Sequence, residues 1–342
     1  MIEIMPYRIL TYEQIDRTEW SRLVKNSSTG TWFQTPEAYE FFASMPELFN
    51  PFVVGIVNNP ESDSGAMNKE TLRGVCVGYM TEEKNVLKQF FTRRAIVIGG
   101  SALADDTTDE EVTALMSAVR QQLTNFKSQI PNLKNYPIYI ETRNFNDYGR
   151  WKDAFAKASF EYVPHLNFHI DCTNKEKMWN TLSETRRRQI RKAIFSGVDI
   201  TEAQNEQEIA DWYCILEELY HRKVKTPLFP LSFFIEFYRQ KRGVFLLVKY
   251  EGKVIGGIMC PIFEGKCIYE WFVCGMDNEY KNQYPSVMAT WAVMEYANGH
   301  NIPMFDIMGA GVPGAPYGVR DFKAEFGGEM VEHGRFLHVA KP

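Results

Sequence analysis

The feature that most constrains this chain is that it repeats itself once, at half its own length. Trp151-Lys-Asp-Ala-Phe155 returns as Phe322-Lys-Ala-Glu-Phe326, and the two lysines stand 171 residues apart in a chain of 342. Each copy leads into a strand, ending Phe168-His-Ile170 in the first and Leu337-His-Val339 in the second. A period this long is not a solenoid unit. It is an ordinary domain size. Two helix-strand units can match by chance, but the order of the surrounding elements repeats as well. The expectation is a duplicated domain, residues 1–170 and 171–342.

The hydrophobic pattern supplies that order. Tyr7 to Leu10 reads as a strand, and Asp16 to Lys25 as a helix with Trp20, Leu23 and Val24 on one face. Pro36 opens a helix to Met45. Phe52 to Val57 and Val75 to Met80 form a strand pair around the polar loop Asn58 to Thr71. A short strand, Ala95 to Ile98, ends at Gly99-Gly100. The helix Asp109 to Phe126 and the strand Ile138 to Glu141 follow. In the second half, Lys175 to Phe195 and Glu206 to His221 read as helices. A three-strand meander comes next: Val244 to Tyr250, Val254 to Phe263 and Lys266 to Cys274. Its turns are Glu251-Gly-Lys253 and Glu264-Gly265. A helix, Pro285 to Asn298, and a strand, Met304 to Met308, complete the pattern. The class is α/β (α+β), each half a mainly antiparallel sheet flanked by helices.

Composition removes several functions. A chain with 45% hydrophobic and 24% charged residues folds. Its net charge of -5 argues against a protein that coats DNA or other nucleic acid without specificity. Apolar runs such as Ile255 to Phe263 are too short to span a bilayer. The start, Met1-Ile-Glu-Ile-Met-Pro, lacks the basic stretch and apolar core of a signal peptide. A cytoplasmic location is expected. The six cysteines form no C-x-x-C pair, and the histidines do not accompany them at zinc-ligand spacing. No metal and no disulfide framework is expected.

Five segments carry a resemblance that spans nearly all the chain. They are Gly30-Thr-Trp-Phe-Gln-Thr35, Thr185-Arg-Arg-Arg-Gln-Ile-Arg-Lys-Ala193, Gly252-Lys-Val-Ile-Gly-Gly257, Asp306-Ile-Met-Gly309 and Phe322-Lys-Ala-Glu-Phe-Gly327. In this order the chain resembles the FemAB family, the tandem-GNAT aminoacyltransferases of peptidoglycan bridge synthesis, and their acyltransferase-like relatives. No long coiled-coil insertion is visible, as in the family's shorter members. The resemblance implies two GNAT-like domains, with most of the active site in the second. It implies an aminoacyl or acyl group moved from aminoacyl-tRNA to an amine of a nucleotide- or lipid-linked cell-wall precursor, with no cofactor. An acyl-CoA-dependent N-acyltransferase of an amino sugar or small amine is the alternative. A non-catalytic binding protein on the same duplicated fold is a third class.

Candidate residues follow. In the family's pattern Lys323 reaches the active site and stabilises developing negative charge or binds phosphate. Lys152 has the same local context in the first copy. Many GNAT enzymes place a general base where Glu270 stands. Because strand residues alternate faces, only one of Tyr269 and Glu270 points into the cleft. Asp306, at a strand end, either accepts a proton from an attacking amine or caps local backbone N–H groups. Tyr317 either protonates a leaving group or packs against a proline. Arg320 is placed to bind an anionic group. Gln34 and Trp32, in the N-terminal family motif, are further substrate-binding candidates. Arg188, Arg191 and Lys192 fall on one outward helix face, which is either a solvated face or a binding face for phosphates of tRNA or a nucleotide-linked acceptor.

Two glycine patterns are informative. Gly309-Ala-Gly-Val-Pro-Gly314 matches the dinucleotide fingerprint, but Pro313 and Pro316 break it and too little chain follows to complete a βαβ unit. It reads as a substrate loop or a plain surface loop. The segment 278–288 takes the place of the GNAT pyrophosphate loop and has no glycine. That places CoA in doubt as donor.

Overall fold

The structure is a computed structural model and describes residues 6–59, 70–81, 94–124 and 139–340. Most of the expected Asn58 to Thr71 loop, and the end of the Asp109 to Phe126 helix, lie outside the described residues. The chain divides into two units, Met1–His165 with Glu332–Pro342, and Leu166–Val331.

In unit 1, β1 (Tyr7–Leu10), β2 (Asn50–Asn58), β3 (Leu72–Thr81), β4 (Arg94–Gly99), β6 (Tyr139–Asn144), β16 (Arg335–Val339) and β7 (Glu161–Val163) lie side by side in that order. The short β5 (Ala102–Leu103) also pairs with β3. Unit 2 repeats the arrangement. Its sheet runs β9 (Asp199–Glu202), β10 (Gly243–Tyr250), β11 (Lys253–Phe263), β12 (Cys267–Tyr269), β14 (Met304–Gly309), β8 (Leu166–Asp171) and β15 (Glu329–Glu332), with β13 (Phe272–Gly275) also on β11. Even the parallel step recurs, β4 beside β6 and β12 beside β14. Element by element the two sheets share one order, as the duplication requires.

The boundary differs from the expected 170/171. β8 closes the first repeat in sequence but pairs with β14 in unit 2, and β16 closes the second repeat but pairs with β6 and β7 in unit 1. Each repeat therefore gives its last strand to the other unit's sheet. Strand partners are a non-local choice that a chain-order reading does not contain.

The central strands of each sheet are buried on both faces. In unit 2, Val244, Leu246 and Val248 join one core while Phe245 between them meets Trp212 and Phe237. In unit 1, Phe52 and Val54 join one core while Tyr79 on β3 meets Phe42. In unit 1 the repeat motif's Phe155 stacks on Phe336 of β16, with ring centroids 3.8 Å apart. In unit 2, Phe168, Phe305 and Ile307 pack with Ile190, Val287, Trp291 and Phe326.

Three expectations change in unit 2. The helix expected over Lys175 to Phe195 is two, Lys175–Thr181 and Glu184–Phe195. Leu182 is extended, and Ser183 Oγ caps the second helix by accepting from the Arg186 amide at 3.1 Å. A helix not read from sequence, Leu231–Arg239, begins after Pro230 and buries Phe233, Phe234 and Phe237. The third meander strand breaks at Glu270-Trp271 into β12 and β13. The Gly309–Gly314 run opens no dinucleotide unit: β14 is parallel to β12 and antiparallel to β8.

All six cysteines are free, five of them buried and Cys214 exposed. No helix among the described residues is long and apolar enough to cross a membrane. Nor do the described residues contain a group of three or more His, Cys, Asp or Glu that could hold a metal ion.

Candidate functional site

The break in the third meander strand sets the geometry. Tyr269 is the register partner of Asp306 across β12 and β14, and the Glu270 amide still donates to the Asp306 carbonyl at 2.9 Å. The next amide, Trp271, turns to the Met259 carbonyl of β11 at 3.1 Å, and β13 continues on β11. The strand thus leaves β14 at Glu270.

Lys323 reaches that point from the helix Gly318–Ala324. Its Nζ donates to the carbonyls of Ile307 (2.5 Å) and Gly309 (3.1 Å) at the end of β14. It stands 3.1 Å from Glu270 Oε1. An ammonium has three donors, and these three acceptors match them. Glu270 is only 7% exposed, as is Lys323. Burial pushes the Glu270 carboxyl above its ordinary range, against the Lys323 charge, which pulls it down, and the more distant Asp306, which adds to the rise. Its second oxygen, Oε2, is buried without a hydrogen-bond partner. A buried carboxylate oxygen with no donor costs free energy and is the kind of atom that functional sites retain.

Asp306 does not join this pair. Its strand neighbours Phe305 and Ile307 are in the unit 2 core, so its own side chain points to the other face. There Oδ2 lies 3.4 Å from His169 Nε2 on β8. Oδ1 accepts from the Met308 amide at 2.6 Å, supporting a residue with φ of +58°. Oδ1 thus makes the local backbone cap that was one of the two roles read from sequence, while Oδ2 is buried without a hydrogen-bond partner. Tyr269, as its register partner, shares its face. The alternation left open by the sequence therefore resolves with Glu270 on the side of Lys323.

Other candidates are engaged as follows. The Arg320 guanidinium donates to the carbonyls of Ala310 (2.8 Å), Ala315 (2.9 Å) and Val312 (2.5 Å), and so staples the glycine-rich loop after β14. These bonds use three of the five guanidinium N–H donors. Tyr317, 42% exposed, lies against Gly311. Arg188, Arg191 and Lys192 are all exposed, as the outward face required. Arg191 covers the Trp179 ring at 5.1 Å, and Lys192 Nζ donates to Asn282 Oδ1 at 2.8 Å.

In unit 1, Gln34 is fully buried: Nε2 donates to the Val77 and Ile98 carbonyls and Oε1 accepts from the Val77 amide at 2.7 Å. Trp32 is buried in an aromatic cluster with Phe33 and Phe41. Both clamp unit 1 internally. Lys152 is exposed and sits 3.8 Å over the Tyr162 ring. The kink that corresponds to Glu270-Trp271 there carries Gly100, with φ of +77°. A Cβ at Gly100 would meet the Tyr148 hydroxyl at 2.4 Å, so the space a Glu270-like side chain would need is filled.

Two residues escaped the sequence reading. Arg186, in the Thr185–Ala193 segment that also carries the outward basic face, points inward and is only 6% exposed. Its guanidinium lies 4.4 Å over Phe322 and 5.1 Å over Phe326, and its Nε is 3.3 Å from Glu325 Oε2. It thereby locks the helix that carries Lys323. Its place at i−4 to the buried Ile190 was the available signal. The other is Asp277. Its carboxylate accepts from the Ser286 amide (3.2 Å) and hydroxyl (2.5 Å) at the first turn of the helix Pro285–Gly299. That is where a GNAT fold would seat a pyrophosphate. Here a carboxylate of the chain itself occupies the amide. Gly275 permits the close approach, since a Cβ there would lie 2.6 Å from the Ser286 nitrogen.

Residues 182–324 match the family model described as acetyltransferase (GNAT) domain. Among curated proteins, none matches the chain in sequence. Solved structures give a likeness of fold. FemX is similar over 97% of each chain, with a TM-score of 0.69 and 12% identity. A tandem GNAT protein from the clavulanic acid biosynthesis pathway is similar over 98% of this chain and 99% of its own, with a TM-score of 0.56 and 9% identity. The L-PGS of Bacillus licheniformis is similar over 79% of this chain and 81% of its own, with a TM-score of 0.51 and 13% identity. The fold is thus a tandem GNAT fold of the FemX type, and the family match covers the region containing Glu270 and Lys323.

Proposed function

We propose that this protein is an N-acyltransferase whose chemistry runs at Glu270 and Lys323, moving an aminoacyl group from aminoacyl-tRNA to an amine of a cell-envelope precursor. The observation that carries the site is the buried Glu270 Oε2, without a donor, beside a lysine whose three donors are matched. In the reaction, the acceptor nitrogen bonds to the ester carbonyl carbon and Glu270 Oε2 takes the proton that the amine loses. The ester C–O bond then breaks, and the same proton passes to the leaving ribose oxygen. Burial makes the carboxylate a stronger base, while the Lys323 charge opposes that rise and lowers the energy of negative charge forming nearby. Arg320 holds the loop after β14 in place, and Arg186 holds the Lys323 helix.

The donor reading rests on Asp277. A carboxylate fixed on the Ser286 amide repels the phosphates that an acyl-CoA donor would place there. The acetyltransferase domain match favours the second reading, an acyl-CoA-dependent N-acyltransferase. The acceptor reading draws on the FemAB resemblance. The test offers labelled aminoacyl-tRNA and acetyl-CoA separately, each with a UDP-linked muropeptide. Transfer from aminoacyl-tRNA that disappears in Glu270→Gln is expected. Transfer from acetyl-CoA alone would replace the first reading with the second.

A further inference from the structure

The helix Glu184–Phe195 ends in an arrangement that the transferase reading does not use. Phe195 is 95% exposed and Ile194 55% exposed. Both belong to the last turn of the helix. At 100° per residue, Arg187, Arg188, Arg191, Lys192, Ile194 and Phe195 fall within one outward arc, opposite the buried Arg186, Ile190 and Ala193. Arg187 is partly committed, donating to the Leu182 carbonyl at 2.8 Å. Arg188 lies about two turns, on the order of 10 Å, behind Phe195 along the axis. The tip is apolar and the collar behind it is basic, on a chain of net charge -5.

We propose that this helix end docks on an anionic lipid surface, with Phe195 and Ile194 entering the boundary between headgroups and acyl chains and Arg188, Arg191 and Lys192 on lipid phosphates. The order of the side chains favours lipid over nucleic acid. In a bilayer, apolar groups belong deeper than the cations, and here they project beyond them. A phosphate backbone would engage the collar and leave Ile194, which cannot stack on a base, in water. A docked tip would bring the transferase to lipid-linked acceptors. The inference does not depend on which donor the site uses.

The experiment is co-sedimentation of the full chain with vesicles of phosphatidylcholine alone and of phosphatidylcholine mixed with phosphatidylglycerol. Pelleting with the mixed vesicles only, weakened by salt, is expected. Phe195→Ser should reduce partitioning on the order of tenfold. Arg188→Glu should reduce it by about fivefold or more. Phe195→Trp should retain binding and show a blue-shifted emission on the mixed vesicles. Because Phe195 is exposed, each variant should melt with the parent. The proposal is overturned if mixed vesicles fail to pellet the parent, or if Phe195→Ser pellets equally well. Retention of tRNA, or self-association, that depends on Phe195 while vesicle binding does not would overturn it as well.

Discussion

Replacing Lys323 by Met should unfold unit 2 more readily, and the size of the loss follows from what the ammonium touches. The family motif alone suggests a lysine that can be removed with the fold and melting temperature nearly intact. In the structure it is 7% exposed and is the charge partner of the equally buried Glu270. Its removal strands a carboxylate in the core and frees two carbonyls at the end of β14. Breaking a buried pair from one side costs about 3–5 kcal/mol. For a unit of this size that is a fall in Tm of roughly 6–20 °C. The penalty depends on pH. The folded Glu270 carboxyl already titrates above its ordinary value, and without Lys323 it rises further. A group whose pKa is raised in the folded state contributes most stability below its unfolded pKa, and that contribution is lost as pH rises through the folded pKa. The variant should therefore approach the parent on acidification from neutral pH towards the ordinary glutamate range. Calorimetry across that range reads the effect. Glu270→Gln combined with Lys323→Met should recover most of the lost stability while remaining on the order of 100-fold to 1000-fold slower in transfer. A Lys323→Met protein that melts with the parent at neutral pH, or a double variant no more stable than the single, would refute the argument. An active double variant would remove the pair from the chemistry.

The remaining predictions are smaller in scale. Lys152→Met loses an exposed cation–π contact with Tyr162 and should cost about 0.5–1 kcal/mol, read as a small shift in Tm, with transfer rates unchanged. Asp277→Ala removes the cap on the helix Pro285–Gly299 and should cost about 1 kcal/mol. Calorimetry should show no micromolar affinity of the parent for acetyl-CoA and a measurable gain in this variant. Arg320→Ala frees the loop after β14, so amide exchange at residues 310–315 should accelerate while the sheet amides of β14 keep their protection.

The sequence alone was enough for much that is local or periodic, although the Ser183 cap that splits one helix into two and the helix Leu231–Arg239 were not read from it. Trp20, Leu23 and Val24 marked a helix face because a helix repeats every 3.6 residues, and they are buried together. Glu251-Gly252 marked a hairpin because both residues must take positive φ, and both do. The duplication was legible because two copies of one pattern need no partner to be compared. The outward face of Arg188, Arg191 and Lys192 was likewise a matter of spacing. Only the tertiary structure decided what depends on residues far apart in the chain. It moved β8 and β16 into the other unit's sheet, since hydrogen-bond ladders choose partners by space and not by order. It broke the third meander strand at Glu270 and brought Lys323, 53 positions later in the chain, within 3.1 Å of that carboxylate. It turned Asp306 to the opposite face, and set Asp277 on an amide nine residues ahead. Each of these is a pairing of charges or dipoles across a fold, and such pairings have no period for a sequence to display.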